Sequence, residues 1–203
     1  MRDLAGYTAL YGGSFDPPHM GHQMACLYLL QARRMAAVWL VPTGAHAFDK
    51  RLSPYVHRRA MCERMAAVFG GQVRIDDIEH ERRGTSYTID TVDALQRAHP
   101  QQKFALVVGG DVVADLPRWH RVAELVARVP LIVLGRSGWV PPASIALGST
   151  VLFIEPPAIN LPDLTSRSVR QALGQCDDPA PIAHKLPYGV ADYLREHPLY
   201  HAA

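Results

Sequence analysis

The stretch TALYGGSFDPPHMGH, residues 8–22, decides the fold, because it joins a short apolar run to a helical pattern through a glycine-rich turn. The apolar run predicts a strand, and the spacing that follows predicts a helix over residues 20–35. Gly12 and Gly13 allow a sharp turn and a close approach of the backbone to a ligand. The prolines after them stiffen the loop. The stretch therefore predicts a strand–turn–helix unit with a ligand at the turn.

The rest of the chain repeats this alternation of short apolar runs and longer helical patterns. The predicted strands are TALYGG, AAVWLVP, QVRIDD, KFALVVGGD, PLIVLGR and STVLFIE. The predicted helices cover 20–35, 54–69 with Ser53 as N-cap, SYTIDTVDALQRAHP, RVAELVARV, SRSVRQALG and YGVADYLREHP. Strands without clean alternation indicate burial on both faces. We therefore predict a doubly wound, Rossmann-like α/β fold with a parallel sheet and helices on both faces.

Length and composition limit the number of domains and the class of partner. The 203 residues favour a single domain over 1–203, in which 165–203 form a C-terminal helical part, and the segment 135–150 is the best candidate for a flexible insertion. A net charge of +2 lacks the basic excess of a nucleic-acid binder. The apolar runs are too short to span a membrane.

Three cysteines at wide spacing, without an export signal, predict a cytoplasmic protein. The sequence leaves the oligomeric state open, and a homo-oligomer is among the states that it allows.

Two histidines stand three positions apart at the start of the first helix. Side chains at this spacing share one face of a helix, so His19 and His22 are expected to lie side by side with Gly21 open between them. Backbone N–H groups and the helix dipole favour an anion at such a place, and two imidazoles suit a polyphosphate. Two alternatives remain open, namely histidines that only cap the helix and a metal site that includes Asp16. The fingerprint GxGxxG is absent, which argues against hydride transfer.

At this point the sequence resembles a known family. The pattern GGSFDPPHMGH is similar to that of the bacterial nicotinate or nicotinamide mononucleotide adenylyltransferases, within the HxGH nucleotidylyltransferase superfamily. The segments DIEHERRGTSYTIDTVDAL, GGDVVADLPRWH and LPYGVADYLREHPLY resemble further family segments in the same order. The resemblance implies a single nucleotidylyltransferase domain that transfers AMP from ATP to a pyridine mononucleotide and releases pyrophosphate, in NAD biosynthesis.

The resemblance also implies roles for individual residues. The catalytic residues are then His19, His22 and Arg170. The residues that bind ATP are Gly12, Gly13, Ser14, Phe15, Gly21, Gly109, Asp111 and Ser166. The residues that bind the mononucleotide are Lys50, Tyr87, Thr88 and Trp119, the last of which stacks on the pyridine ring. Mg²⁺ is expected to come with ATP, held mostly by the substrate and water rather than by protein ligands.

Several of these residues also fit plain structural roles. Asp111 and Thr88 fit helix N-caps, and Trp119 alone fits a core residue. Two segments depart from the family pattern. In LTSRSVR, Thr165 and Arg167 replace the usual serine and threonine, and Arg167 either contacts phosphate or points to solvent. In PTGAHAFDK the usual proline pair is missing and AFD separates His46 from Lys50, so the preferred pyridine nucleotide stays open.

Two rival functions are considered. The first is another HxGH transferase, such as a phosphopantetheine adenylyltransferase, which needs neither a stacking Trp119 nor the TSYTIDT segment. The second is a regulator that binds the nucleotide without catalysis, whose mark would be the loss of the phosphate-binding histidines. Both histidines are present, so the prediction of an adenylyltransferase is favoured.

Overall fold

A computed structural model describes most of the chain. The described residues are 3–44, 52–82, 84–136, 139–140, 151–154, 158–176 and 178–200. The predicted flexible insertion lies mostly outside these residues, as do His46 and Lys50.

Six strands form one sheet in the order β3-β2-β1-β4-β5-β6, and every neighbouring pair is parallel. The strands are β1 (Thr8–Gly13), β2 (Ala37–Pro42), β3 (Val73–Ile75), β4 (Phe104–Gly109), β5 (Leu131–Leu134) and β6 (Val151–Ile154). The strand order reverses between β1 and β4, and ligands in such sheets bind beyond the carboxyl ends of the strands at this point. The turn within residues 8–22 therefore lies at the expected binding position of the fold.

Seven α-helices and three 3₁₀ helices connect and cover the strands in the described part of the chain. The α-helices are α1 (Met20–Gln31), α2 (Tyr55–Ala66), α3 (Ile78–Glu81), α4 (Thr88–Ala98), α5 (Val122–Arg128), α6 (Ser166–Leu173) and α7 (Tyr188–Glu196). The 3₁₀ helices are Ala67–Phe69, Gly110–Arg118 and Ala180–Lys185.

Alternate residues of each central strand belong to two separate hydrophobic cores. Tyr11 and Val107 belong to the core that also includes side chains of α1, α2, α6 and α7. Leu10 and Leu106 belong to the core that includes side chains of α4, α5 and the 3₁₀ helix Gly110–Arg118. Both faces of the sheet are therefore buried, and the predicted doubly wound fold is confirmed.

Three local predictions need correction. Helix α1 ends at Gln31 rather than near Met35, and Arg34 beyond it has a φ of 54°, outside the helical region. Ser53 does not cap α2, because Pro54 is the N-cap and Ser53 uses its backbone groups elsewhere. The predicted strand KFALVVGGD is too long, because β4 ends at Gly109 and a 3₁₀ helix follows that buries Gly110, Val113 and Leu116, a repeat of three that matches 3₁₀ geometry.

The structure also bears on cysteines and on membranes. Cys26 and Cys62 are buried free thiols, and Cys176 is a free thiol that is partly exposed. Among the described residues, no helix has both the length and the apolar composition that crossing a bilayer requires.

Candidate active site

The two histidines lie together at the end of β1. His19 is the N-cap of α1, and the centroids of its ring and the ring of His22 are 3.8 Å apart. The His22 Nδ1 atom accepts a hydrogen bond from the His19 backbone N–H at 3.1 Å. The expected pairing is therefore present, and His22 also satisfies one of the free N–H groups at the helix start. The capping alternative is therefore confirmed in part, because His19 is the N-cap and His22 completes a capping box, but it leaves the Nδ1 atom of His19 without a hydrogen-bond partner.

The His19 ring is buried with one polar atom unsatisfied. Its side chain is 2% exposed, and its Nδ1 atom has no hydrogen-bond partner among the described residues. Burial and the Arg136 guanidinium lower the pKa of His19 to about 3. Burial, His19 and Arg136 hold the pKa of His22 well below its usual range. Both imidazoles are therefore neutral at physiological pH, and His19 has a nitrogen aimed at a group that the protein does not supply.

Gly21 is required for this arrangement. A Cβ atom on Gly21 would lie 3.0 Å from His19 Nδ1 and 3.1 Å from the neighbouring ring carbon. Such contacts are tighter than normal packing, so a larger residue would displace the imidazole or block the group that approaches it. The glycine of the HxGH pattern thus leaves room for the His19 ring and its unsatisfied nitrogen.

Arg136 is a site residue that the sequence analysis missed. It follows β5, and it lines a cavity together with Tyr11, His19, Gly21, Gly109 and Pro162. Its Nη2 atom lies 3.5 Å from Asp111 Oδ1, and its side chain is 20% exposed. A cation placed directly after a strand next to β4 was the available signal, because the carboxyl ends of neighbouring parallel strands share one edge.

Gly109, at the end of β4, lines the same cavity, and Gly110 follows it. A Cβ atom on Gly109 would overlap Asp111 Oδ1, and one on Gly110 would lie 2.7 Å from the ring of Trp139. Asp111 lies in the first turn of the 3₁₀ helix, whose N-cap is Gly109, so the predicted capping role of Asp111 is wrong. Its carboxylate is about half exposed, with space to accept hydrogen bonds from a ligand.

Helix α6 packs against the turn that precedes the histidines. The Arg170 Nη1 atom donates to the Asp16 carbonyl at 2.6 Å, and the Ser166 hydroxyl donates to the Pro17 carbonyl at 2.9 Å. Thr165 caps this helix by accepting a hydrogen bond from the Ser168 N–H at 3.0 Å, so its replacement of serine preserves the cap. Arg167 is exposed. The two predicted residues of α6 are thus adjacent to the histidine turn despite about 150 positions of separation.

A buried arginine holds this edge of the sheet together. Arg58 is 3% exposed, and it donates to the carbonyls of Ser14 at 2.9 Å, Thr43 at 2.8 Å and Ser53 at 2.9 Å. One guanidinium thereby connects the loop after β1, the loop after β2 and the start of α2. Burial lowers the pKa of Arg58. Nothing in the sequence signals this role, because the three acceptors are backbone carbonyls.

The turn residues Gly12, Ser14 and Phe15 present mainly backbone to this edge. Phe15 is 1% exposed, packs 5.0 Å from the His22 ring centroid to centroid, and has a φ of 46°. A Cβ atom on Gly12 would meet nothing within 4 Å, which leaves open space beside the backbone. Any contact of Phe15 with a nucleotide would therefore use its backbone rather than its ring.

Three of the four predicted mononucleotide residues lie in the described part of the chain, and they are more exposed than His19. Tyr87 is 38% exposed, and its ring lies 4.4 Å from that of His120, which places it against the segment containing Trp119. Trp119 is partly buried against the second core, so it also has the packing role considered above. Thr88 is the first residue of α4, whose N-cap is Tyr87 rather than Thr88.

Glu79 stabilises the loop next to the predicted mononucleotide residues and was not singled out by sequence. Its Oε1 atom accepts a hydrogen bond from the Thr91 hydroxyl at 3.1 Å, and the Gly44 backbone also bonds to the carboxylate. Burial raises the pKa of Glu79 above its usual range. A Cβ atom on Gly44 would overlap the Glu79 carbonyl, so only glycine fits at position 44 in the loop after β2.

The described residues contain no group of three or more His, Cys, Asp or Glu side chains that could hold a metal ion. Asp16, the carboxylate considered as a partner of the histidines, instead accepts hydrogen bonds from the Tyr200 hydroxyl at 2.7 Å and the Ser53 N–H at 3.3 Å.

Relatives of known name match nearly the whole chain. A protein of Myxococcus xanthus (strain DK1622) named "Probable nicotinate-nucleotide adenylyltransferase" is 37% identical over 196 residues, which cover 95% of this chain and 94% of that protein. A protein of the same name from Bacillus pumilus (strain SAFR-032) is 34% identical, with 94% and 96% covered.

A solved structure shows the same fold. It is described as Plasmodium falciparum nicotinic acid mononucleotide adenylyltransferase complexed with NaAD, and it superposes with a TM-score of 0.81 at 22% identity, covering 96% of this chain and 97% of the other. The pattern of the cytidylyltransferase-like family matches residues 10–172, a span that includes both histidines, Arg136 and Arg170. The chain therefore belongs to the cytidylyltransferase-like family and, within it, to the nicotinate-nucleotide adenylyltransferases.

Proposed function

We propose that this chain transfers the adenylyl group of ATP to the 5′-phosphate of nicotinate mononucleotide. A phosphate oxygen of the mononucleotide attacks the α-phosphorus of ATP, and a new P–O bond forms there. The bond from the α-phosphorus to the bridging oxygen breaks, and pyrophosphate leaves with that electron pair. The products are the dinucleotide and pyrophosphate, which is a step in the synthesis of NAD.

One observation carries the phosphate half of the proposal. The neutral His19 ring is buried with an unsatisfied Nδ1 atom, beside a second neutral imidazole and the Arg136 guanidinium, at the strand-order reversal of the sheet. An unpaired buried nitrogen costs free energy unless a ligand satisfies it. A polyphosphate chain supplies several negatively charged oxygens, and these can accept hydrogen bonds from this group of donors.

These residues can act without a general base or a covalent intermediate. The attacking phosphate oxygen is already an anion at pH 7, so catalysis reduces to positioning and to stabilising charge on the α-phosphate and the leaving pyrophosphate. His19, His22, Arg136 and Arg170 are the groups proposed to do this. Preorganised donors of this kind typically contribute roughly 3–4 kcal/mol each to the transition state.

The predicted mononucleotide residues fit the acceptor. The exposed ring of Tyr87 and the partly buried ring of Trp119 offer flat apolar faces, which suit an electron-poor heterocycle. The relatives that match nearly the whole chain carry the name of the nicotinate enzyme, and the Plasmodium structures are complexes with NaAD and with APC. Nicotinate mononucleotide is therefore the preferred acceptor in this proposal, and nicotinamide mononucleotide is the alternative to compare.

Mg²⁺ enters this proposal as part of the substrate. The Asp16 carboxylate is occupied by Tyr200 and Ser53, and that of Asp111 is near Arg136, so these side chains do not form a ligand set of their own. Bound to the phosphates and water, the ion would neutralise charge on the leaving pyrophosphate.

The proposal also includes a cytoplasmic location. Cys26 and Cys62 are buried close to the core without a disulfide, and Cys176 is free as well. Free thiols are typical of a reducing compartment.

A single assay tests the function. Purified protein is incubated with ATP, Mg²⁺ and, in parallel, nicotinate mononucleotide, nicotinamide mononucleotide or 4′-phosphopantetheine, and released pyrophosphate is measured. We expect release with the nicotinate form and a lower kcat/KM with the nicotinamide form. Release with phosphopantetheine alone, or with no acceptor, would overturn the proposal, and a reaction with excess chelator tests the need for Mg²⁺.

A further inference from the structure

The C-terminal segment contacts the histidine turn through one side chain. The Tyr200 hydroxyl donates to Asp16 Oδ1 at 2.7 Å across 184 positions of sequence, and the Ser53 N–H donates to Oδ2. Asp16 is 2% exposed, so both oxygens of a buried carboxylate are satisfied by neutral donors. Burial and the nearby carboxylate raise the pKa of Tyr200 above its usual value, which keeps the hydroxyl protonated as a donor.

Arg170 lies beside the same aspartate but bonds to a different acceptor. Its Nη1 atom donates to the Asp16 backbone carbonyl at 2.6 Å and is 3.8 Å from carboxylate Oδ2. The latter distance is beyond a hydrogen bond. A bidentate pair with the carboxylate, the strongest geometry open to a guanidinium, is therefore not formed. The side chain is 35% exposed, so part of its planar set of five donors faces accessible space.

We propose that Tyr200 is a positioning residue for ATP: by holding the Asp16 carboxylate, it keeps the ion pair with Arg170 at its long distance of 3.8 Å, prevents a hydrogen-bonded pair and leaves the guanidinium to the polyphosphate. This inference rests on the proposed function only in taking ATP as the source of the phosphates. Without the Tyr200 hydroxyl, Oδ1 of Asp16 loses its donor in a buried place. Arg170 already lies 3.8 Å from the other oxygen, Oδ2, and a movement of the freed carboxylate toward it would compete with the ligand for the same donors.

The test compares Tyr200→Phe with Tyr28→Phe, which removes the hydroxyl of another partly buried tyrosine. The dissociation constant of ATP with Mg²⁺ is measured by calorimetry without any mononucleotide, followed by KM for each substrate and the melting temperature. We expect Tyr200→Phe to weaken ATP binding roughly tenfold, as for loss of a hydrogen bond to a charged group. The KM of the mononucleotide and the properties of Tyr28→Phe are expected to stay near wild type.

A second pair of variants, made in a protein that carries Asp16→Asn, distinguishes a positioning role of Tyr200 from a role in only fixing the C-terminal segment to the fold. Asp16→Asn keeps the shape of the side chain but removes the charge that attracts Arg170. In the Asp16→Asn protein, Tyr200→Phe should change ATP affinity less than about twofold, because the neutral amide no longer attracts the Arg170 guanidinium. Equal weakening in both backgrounds, unchanged ATP affinity in Tyr200→Phe, or equal losses for both substrates together with a lower melting temperature would each overturn the inference.

The binding measurement also keeps this inference separate from the proposed function. Wild-type protein that binds ATP but releases no pyrophosphate with any mononucleotide would refute the adenylyl transfer and leave the role of Tyr200 testable. Wild-type protein that does not bind ATP at all would overturn both.

Discussion

The proposed phosphate end of the site consists of residues 11–22 with Arg136 and Arg170, and it differs in construction from the proposed pyridine end, which consists of Tyr87, Thr88 and Trp119. At the phosphate end the side chains are mostly buried and connected by hydrogen bonds from several parts of the chain. At the proposed pyridine end Tyr87 is exposed and contacts the ring of His120, while Trp119 is partly buried against the second core. The difference suits the two ligands of the proposed function, since charge requires donors fixed in advance whereas a flat ring needs only a flat surface.

The largest expected effect comes from removing one imidazole at the phosphate end. His22→Ala should lower kcat by about 10²–10³-fold, the usual cost of losing one preorganised donor. His184→Ala, which alters an exposed histidine of a C-terminal 3₁₀ helix, is the matched control. Steady-state kinetics with both substrates check the effect, and a rate within about threefold of wild type would remove His22 from the catalytic group.

The next effect concerns the support beneath the histidine turn. Arg58→Lys should lower the free energy of unfolding by about 3 kcal/mol, because one ammonium group cannot reach three separate carbonyls and leaves buried acceptors unpaired. Arg59→Lys is the control, since Arg59 is 40% exposed and pairs with Asp77 and Glu63 near the surface. Surface pairs contribute about 0–1 kcal/mol. Urea denaturation measures both variants, and equal losses would mean that Arg58 is not the buried cross-link described.

How much of this could be foreseen from sequence depends on the distance over which each contact acts. The spacing of His19 and His22 fixes a local geometry, so their pairing and their position after β1 were predictable. Arg58 and Ser14 are 44 positions apart, and their bond ends on a backbone carbonyl, which carries no residue signature. The Tyr200 hydroxyl bonds to a side chain, the Asp16 carboxylate, but the two residues are 184 positions apart, so this contact was not predictable either.

Secondary structure shows the same division. The strands followed from apolar runs that the two cores bury. The predicted cap at Ser53 was wrong because tertiary contacts use its backbone: its N–H bonds to Asp16 and its carbonyl to Arg58. The 3₁₀ helix Gly110–Arg118 was not predicted, because glycine and proline are poor helix formers and its repeat of three is set by burial against the sheet.

A smaller effect should appear in the pH dependence of stability. The folded pKa of His19, about 3, lies below the unfolded value near 6.5, so the unfolded chain binds a proton that the folded chain does not. Stability is therefore complete above about pH 6.5 and is lost as the pH falls toward about 3. At about pH 5 the loss attributable to His19 is roughly 2 kcal/mol.

Urea denaturation at about pH 7.5 and at about pH 5 measures this pH-dependent loss of stability. His19→Asn, which keeps a residue suited to an N-cap, should reduce the pH-dependent loss by about that amount. His184→Asn should leave the loss as in wild type. An identical pH dependence in His19→Asn and wild type would show that His19 is not held neutral in the folded protein.

The smallest effect is expected at the pyridine end, where an adaptable aromatic surface replaces fixed donors. Trp119→Ala should raise the KM of the mononucleotide about tenfold and leave that of ATP within about twofold, because aromatic stacking contributes about 0.5–1.5 kcal/mol beyond the area that the ring covers. Trp119→Phe retains a flat ring and should lie between wild type and Trp119→Ala. Since Trp119 also packs on the second core, melting temperatures are measured in parallel. If both KM values rose equally, the ring would serve the fold rather than the acceptor, and the pyridine end would have to be sought among other residues.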